Sequence, residues 1–241
     1  MTDAFSLNLG ADYTFGSSSH VNLANGGGNT TDRNGFQDPT FGATYRLMDP
    51  RNQPYSLDLF GHYSPDLVDA RTADPTEDAT AGRGGDAFDF GAALGHQTRA
   101  FTIQGIVKGE YIGRRKIDNR LIGDTTKSSG YWIPSVGVAT QTRLSDRFSI
   151  NAGADYNFNG NTHVIDEDTG VEHALRQGDF QTVNVALNYH FIPNTLVGSL
   201  NYHHTFFGKT DSRFPADPTM DYLIDNKSGD TVGAGLTYQF R

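Results

Sequence analysis

The stretch that decides the fold is the last one in the chain, Thr231-Val232-Gly233-Ala234-Gly235-Leu236-Thr237-Tyr238-Gln239-Phe240-Arg241. Every second residue in it is apolar, and the residues between are glycine, threonine, glutamine or arginine. This period of two predicts a β-strand with one apolar face and one polar face. The stretch also has about the 9–11 residues that a tilted strand needs to cross a bilayer.

The same alternation recurs along the chain and predicts ten strands in all. They cover residues 5–15, 39–47, 55–63, 88–95, 101–111, 132–138, 148–158, 183–191, 196–206 and 231–241. Short turns follow the even-numbered strands, and long loops rich in Ser, Asn, Gly or charged residues follow the odd-numbered ones. In transmembrane β-barrels, short turns lie on the periplasmic side and long loops on the extracellular side.

This pattern resembles Gram-negative outer-membrane β-barrels, whose closing strand carries a terminal aromatic residue that the insertion machinery reads. Leu236, Tyr238 and Phe240 are the predicted insertion signal, although Arg241 follows Phe240 where most such barrels end on the aromatic. The resemblance implies one all-β domain over residues 1–241, an antiparallel up-and-down barrel in the outer membrane. Its expected partners are outer-membrane lipid and the insertion machinery.

The composition leaves a soluble alternative open. Mean hydropathy is −0.51, which also suits a soluble β-sandwich or lipocalin-like barrel with its apolar face inward. However, half of every spanning strand and all the loops of a membrane barrel are polar, and alternating loop lengths favour the membrane barrel. A net charge of −9 disfavours nucleic acid as a partner, and the absence of Cys excludes disulfides and thiolate metal sites.

A second resemblance concerns the segment 38–47, Asp-Pro-Thr-Phe-Gly-Ala-Thr-Tyr-Arg-Leu, followed by Tyr63-Ser64-Pro65-Asp66-Leu67. Together these two segments resemble a strand pair of MetA-type outer-membrane transporters, which are linked with phenol degradation. The resemblance covers about a fifth of the chain. It implies uptake of small organic molecules.

Strand parity predicts which residues face the lumen and which face lipid. Leu9 and Leu187 are predicted to face lipid, and Asn8 and Asn188 to face the lumen. The charged residues predicted to line the pore are Asp12, Arg46, Asp58, Asp89, Lys108, Glu110, Arg143, Asp155 and Arg241. Most other inward residues are small, which favours a narrow water-filled pore for small solutes or ions over a filled lumen.

Strand direction predicts that the pore is polarised along its axis. Arg46, Arg143 and Arg241 fall near strand ends at the periplasmic mouth, whereas Asp12 and Asp155 fall in the outer half. We therefore expect positive potential at the periplasmic mouth and negative potential in the outer half.

Three other functions stay open: a closed barrel acting as an adhesin or surface anchor, the pore of a secretion system, and a barrel enzyme. An omptin-like protease requires an Asp-His pair and two further aspartates at the rim, and the chain has no Asp-His dipeptide. His203 and His204 are adjacent and so lie on opposite faces of a strand, and the acidic segments 166–170 and 225–230 lack the ligand spacing of calcium loops. No enzymatic activity, metal or cofactor is therefore expected.

Overall fold

The computed structural model describes residues 4–23, 28–49, 53–72, 78–98, 101–119, 124–193 and 195–240. These residues form β-strands and one 3-10 turn at Pro218–Met220. The strands are β1 (Phe5–Leu23), β2 (Gly28–Phe36), β3 (Thr40–Met48), β4 (Tyr55–Ser64), β5 (Ala79–Thr80), β6 (Ala87–Gln97), β7 (Phe101–Ile112), β8 (Arg115–Asn119), β9 (Asp124–Ser128), β10 (Tyr131–Arg143), β11 (Phe148–Asn157), β12 (Asn161–Asp166), β13 (Glu172–Arg176), β14 (Phe180–Ile192), β15 (Leu196–Phe207), β16 (Thr210–Arg213) and β17 (Tyr222–Phe240). Among the described residues, no helix is long and apolar enough to cross a membrane.

Ten of these strands form a closed antiparallel barrel, as predicted. Their order around the ring is β1, β3, β4, β6, β7, β10, β11, β14, β15, β17 and back to β1. The closing pair runs from Leu7 opposite Phe240 to Thr14 opposite Gly233, so both ends of the described chain lie at the same rim. Closure satisfies every backbone edge, which is required where lipid offers no hydrogen-bond partner.

Most apolar side chains of the barrel strands point outward, as strand parity predicts. Leu187 on β14 is 43% exposed on the outer wall, whereas its neighbour Asn188 is 7% exposed inside. Aromatic rings cluster at both ends of the wall. Trp132 lies 5.2 Å from the ring of Tyr111 at the outer end, and Tyr238 lies 4.5 Å from Phe240 at the periplasmic end. These two girdles mark the interfaces of a membrane-spanning barrel.

The long connections contain strands, which the sequence reading did not predict. β1 continues to Leu23 and β17 begins at Tyr222, so both extend well beyond the predicted strands. β8 pairs with β9, β9 with β12, β12 with β13, β13 with β16 and β16 with β17. On the other side β1 pairs with β2, and β2 pairs with β5 in parallel. We call these short strands, with residues 65–72 and 78–86 and the outer ends of β1 and β17, the extracellular collar.

The collar closes on itself through the segment between β4 and β6. Thr80 of β5 donates its backbone N–H to the carbonyl of Arg71, at 3.1 Å. Arg71 in turn forms a parallel bridge to Asp118 of β8. Inside this second ring, Ala79, Val164 and Phe214 are buried. The barrel wall therefore continues above the membrane as a second closed ring of hydrogen-bonded strands.

Candidate channel lumen

Glycines on the inner wall let the larger lumen side chains lie flat against it. Phe60 of β4 lies over Gly91 of β6, where a Cβ atom would come within 2.6 Å of the Phe60 ring. Asn8 and His62 occupy the space in front of Gly42 in the same way. The small inward residues noted in the sequence therefore make room for their neighbours as well as for water.

An ionic cluster lies at the outer end of the lumen. Glu110 of β7 is 3.6 Å from the Lys108 ammonium and 3.6 Å from Nη1 of Arg83. Between β4 and β6, His62 Nδ1 is 2.9 Å from Asp89 Oδ1. Asp89 is in turn the cross-strand partner of Glu110 on β7. Three predicted lining residues, Asp89, Lys108 and Glu110, are thus brought together, with His62 and Arg83 added to them.

Two further predicted carboxylates, Asp12 on β1 and Asp155 on β11, lie on the inner wall, and both interact electrostatically with His203. The carboxylate of Asp12 lies over Gly235, and that of Asp155 accepts a hydrogen bond from Nδ2 of Asn157. Within the described part of the chain, neither carboxylate has an ion-pair partner among the lysines and arginines. Asp12 and Asp155 are therefore the lumen carboxylates best placed to attract cations.

The periplasmic end holds charges that neutralise each other. Arg46 makes two hydrogen bonds to Asp58, with Nε 2.7 Å from Oδ1 and Nη2 2.9 Å from Oδ2. Arg143 is 3.1 Å from the carboxylate of Asp146 in the exposed turn after β10. Arg241, the third arginine predicted at this mouth, lies outside the described residues. The positive charges expected here are therefore largely compensated where the structure describes them.

Apolar side chains narrow the lumen near its outer end. Ile112, Tyr131 and Ile133 form a buried cluster, and Phe180 packs against it from β14. Phe207 continues this surface, with its ring centroid 5.9 Å from that of Phe180. Ile112, which falls on the polar side of its strand by parity, belongs to this constriction.

Two cavities lie at different heights inside the barrel. One of about 240 Å³ has Phe60, Ile106, His62, Asp89, Lys108, Asp155 and Asn184 among its lining residues. Another of about 380 Å³ opens near the periplasmic end, beside Thr102, Gln141, Arg143, Ser149 and His190. The first is smaller than the pockets that hold drug-sized ligands, and the second is near the lower limit of their volumes. They can hold water, ions or small organic molecules.

Several residues of the lumen were not predicted from the sequence, for different reasons. His62 and Phe60 occupy inward positions of β4, so strand parity could have added them to the lining set. His203 was placed on the opposite face of its strand from His204, but its interaction with Asp12 and Asp155 was not predicted. Arg83 lies in a connection without any periodicity, and nothing local to its sequence places it near Glu110.

The predicted insertion signal lies on the outer wall of the closing strand. Leu236, Tyr238 and Phe240 are all exposed there, toward the periplasmic rim. Recognition of these side chains by the insertion machinery stays a prediction. No group of three or more His, Asp or Glu side chains within the described ranges is arranged to hold a metal ion.

Comparison with known proteins identifies the family. A model of the family described as "Putative MetA-pathway of phenol degradation" matches residues 118–241, just over half of the chain. The chain belongs to this family. The matched residues lie C-terminal to segments 38–47 and 63–67, so the family assignment rests on a different part of the chain from the motif that first indicated it. No curated protein matches the chain by sequence.

Two solved structures share the fold over nearly the whole chain. The outer membrane protease OmpT from Escherichia coli is similar with a TM-score of 0.53 and 11% identity, over 99% of this chain and 97% of that one. The COG4313 outer membrane channel from Pseudomonas putida F1 is similar with a TM-score of 0.53 and 10% identity, over 98% and 95%. At these identities the likeness concerns the fold. The family member described here is a Gram-negative outer-membrane β-barrel.

Proposed function

We propose that this barrel is a channel through which small solutes or ions cross the outer membrane by passive diffusion. The observation that carries the proposal is the pair of cavities at successive heights in the lumen, lined by polar and charged side chains. A filled barrel would instead bury such side chains in complete ion pairs and hydrogen bonds. Among the described residues, Asp12 and Asp155 have no ion pair with a lysine or arginine. This incomplete compensation of their charge favours water around them.

The lining of the upper cavity supports small organic molecules among the solutes. Phe60 and Ile106 supply apolar surface, while His62, Lys108 and Asn184 supply hydrogen-bonding groups. A site with this mixture can hold a small ring or chain bearing a polar substituent. The description of the family and the channel similar in fold point in the same direction.

A closed barrel serving as a surface anchor or adhesin is the second candidate. The apolar cluster of Ile112, Tyr131, Ile133 and Phe180 favours it, because these side chains reduce the open cross-section near the outer end. In that case the collar would be the functional part. A secretion pore and a barrel enzyme remain alternatives without a specific structural feature in their favour.

Single-channel recording in a planar bilayer tests the proposal. We expect the refolded protein, checked for heat-modifiable migration on a gel, to produce discrete conductance steps. We also expect Ile133→Ala to increase the conductance, because it widens the constriction without changing any charge. A correctly folded barrel that carries no current, even with Ile133→Ala, would instead support the closed anchor.

A further inference from the structure

The two halves of the motif at 38–47 and 63–67 hold a loop in place. Asp38 is only 9% exposed, and its carboxylate accepts three backbone N–H groups. Leu67 and Val68 donate to Oδ1 at 2.9 and 2.8 Å, and Arg83 donates to Oδ2 at 3.0 Å. Three N–H donors form a strong site for one carboxylate. Asp38 thereby ties both ends of the segment 65–86 to the start of β3.

The segment around Arg83 is also fixed from the opposite side. Arg115 donates its Nε–H to the Arg83 carbonyl at 3.0 Å, and Lys116 donates its backbone N–H to the Gly84 carbonyl at 2.6 Å. Gly84 has a φ of +78°, and a Cβ there would lie 2.7 Å from the Cβ of Ala70. Only glycine fits this position without strain. The backbone at Arg83 therefore has a single well-defined place.

That place directs Arg83 toward the outer end of the lumen. Its guanidinium reaches Glu110, which also pairs with Lys108, so two cations share one carboxylate there. The Arg83 side chain is 38% exposed, so its charge still faces water. A fixed cation at a narrow entrance repels cations and attracts anions, most strongly in dilute salt.

We infer that Arg83 is a charge-selecting residue at the outer entrance of the lumen, and that Asp38 is the positioning residue that keeps it there. This inference rests on the proposed channel function. It assigns the loop between β4 and β6 to the solute path, although that loop comes from outside the barrel strands.

Reversal potentials in a gradient of dilute KCl test the inference. We expect Arg83→Gln to raise the cation-over-anion permeability ratio by about two-fold, and Arg83→Lys to leave it near the wild-type value. Gly84→Ala changes no charge but displaces Arg83, so it should raise the ratio in the same direction. Adding Gly84→Ala to Arg83→Gln should have little further effect, because both act through one side chain.

Asp38→Asn separates positioning from a direct effect of charge. Removing a negative charge would by itself lower cation preference, whereas releasing Arg83 should raise it. Asp69→Asn is the matched control, since Asp69 lies in the same loop, is highly exposed and pairs only with Arg71 among the described residues. We expect it to leave the ratio almost unchanged. Heat-modifiable migration shows that each variant has folded.

Each outcome bears on a different part of the inference. A wild-type barrel without current overturns the proposed channel and the charge filter together. A conducting barrel whose ratio is the same with Arg83→Gln overturns the filter alone. A shift with Arg83→Gln but none with Gly84→Ala and Asp38→Asn leaves Arg83 as the selecting residue and overturns the positioning role of Asp38.

Discussion

Arg46 and Asp58 face each other across β3 and β4 and are joined by two parallel hydrogen bonds of 2.7 and 2.9 Å. The register of the two strands produces this pair, because Arg46 is the direct cross-strand partner of Asp58 just before a β-bulge. Such two-pronged geometry is the strongest form of an arginine–carboxylate contact. It fixes the periplasmic end of the lumen and compensates one of the charges expected to polarise it.

Removing one member of this pair should destabilise the barrel. Asp58 is 7% exposed, and Asp58→Ala removes the carboxylate that both hydrogen bonds from the Arg46 guanidinium reach. We expect a loss of about 1–3 kcal/mol in the free energy of unfolding, below the usual value for fully buried pairs because Arg46 is partly exposed. Denaturant unfolding in lipid vesicles measures it. The double variant Arg46→Met with Asp58→Leu should recover most of the loss, and a full loss in that variant would contradict the explanation.

The lipid-facing wall should not tolerate charge. Leu9→Arg and Leu187→Arg should each cost about 2–4 kcal/mol if those residues lie near the bilayer midplane. Asn201→Arg, on the lumen side of β15, is the milder control. Asn8 and Asn188 are unsuitable controls, although both face inward, because Asn188 is buried against Ser149 and Asn8 is packed over Gly42. Equal damage from Asn201→Arg and Leu187→Arg would contradict the assignment of the two faces.

Asp12 and Asp155, which have no lysine or arginine partner among the described residues, should set cation preference inside the lumen. We expect Asp12→Asn combined with Asp155→Asn to lower the cation-over-anion permeability ratio at low salt, and to do so less at high salt, where charges are screened. Asp58→Asn with Arg46→Gln is the matched control, because it removes a paired and compensated charge. A reversal potential that does not change in the Asp12/Asp155 variant would count against an electrostatic role for these residues.

Axial asymmetry of the current should be weaker than the arginine positions alone predict. Arg46 and Arg143 are both paired with carboxylates, so the periplasmic mouth carries less positive potential than the sequence indicates. We expect a mildly rectifying current in dilute salt that becomes more asymmetric when Asp58→Asn removes the negative charge opposite Arg46. Current–voltage curves recorded from both sides of the bilayer measure this, and a strictly linear curve in both proteins would refute the polarised pore.

The collar should loosen in acid through His173. Its ring stacks on Phe214 at 4.8 Å, and burial lowers the pKa of His173 although Asp166 partly opposes the shift. The folded collar therefore resists protonation while the unfolded chain accepts a proton near pH 6.5, so collar stability is full above that pH and falls below it. The protection factors of the β13 and β16 amides, which compare each exchange rate with the intrinsic rate at the same pH, should fall below about pH 6.5. His173→Phe should abolish this fall and the outward-facing His163→Ala should retain it, whereas wild-type protection factors that do not depend on pH would exclude the mechanism.

The membrane-embedded half of the fold could be predicted because lipid imposes a simple pattern. One face of each strand must be apolar and every edge must be closed, so alternation and loop length sufficed to find the ten barrel strands. In the collar, both faces of a strand contact water or an interior of polar and apolar side chains, so the alternation of apolar and polar residues is lost. Residues 17–23, which begin with three serines, pair with β17 by continuing the register of the barrel strands below them, and composition does not reveal this pairing.

Which residues face the lumen could be predicted from the sequence better than the contacts that these residues make. Parity placed Arg46 and Asp58 on the inner wall, but their pairing depends on the register of two strands. Arg83 depends on a buried carboxylate, that of Asp38, which lies forty-five residues away in the chain. Hydrogen bonds between residues so far apart in the chain leave no periodic pattern in the local sequence, so sequence patterns cannot detect them.

The closed collar also limits how the surface of this protein can vary. Because neighbouring loops are hydrogen-bonded edge to edge, a change of length at Ala79–Thr80 or along β8 would break contacts in two loops at once. The turn around Gly170 joins β12 to β13 and lies at a hairpin tip, where extra residues can loop out without disturbing either strand. Natural changes of length and engineered peptide insertions should therefore concentrate at that tip, while the hydrogen-bonded strands of the ring keep their lengths.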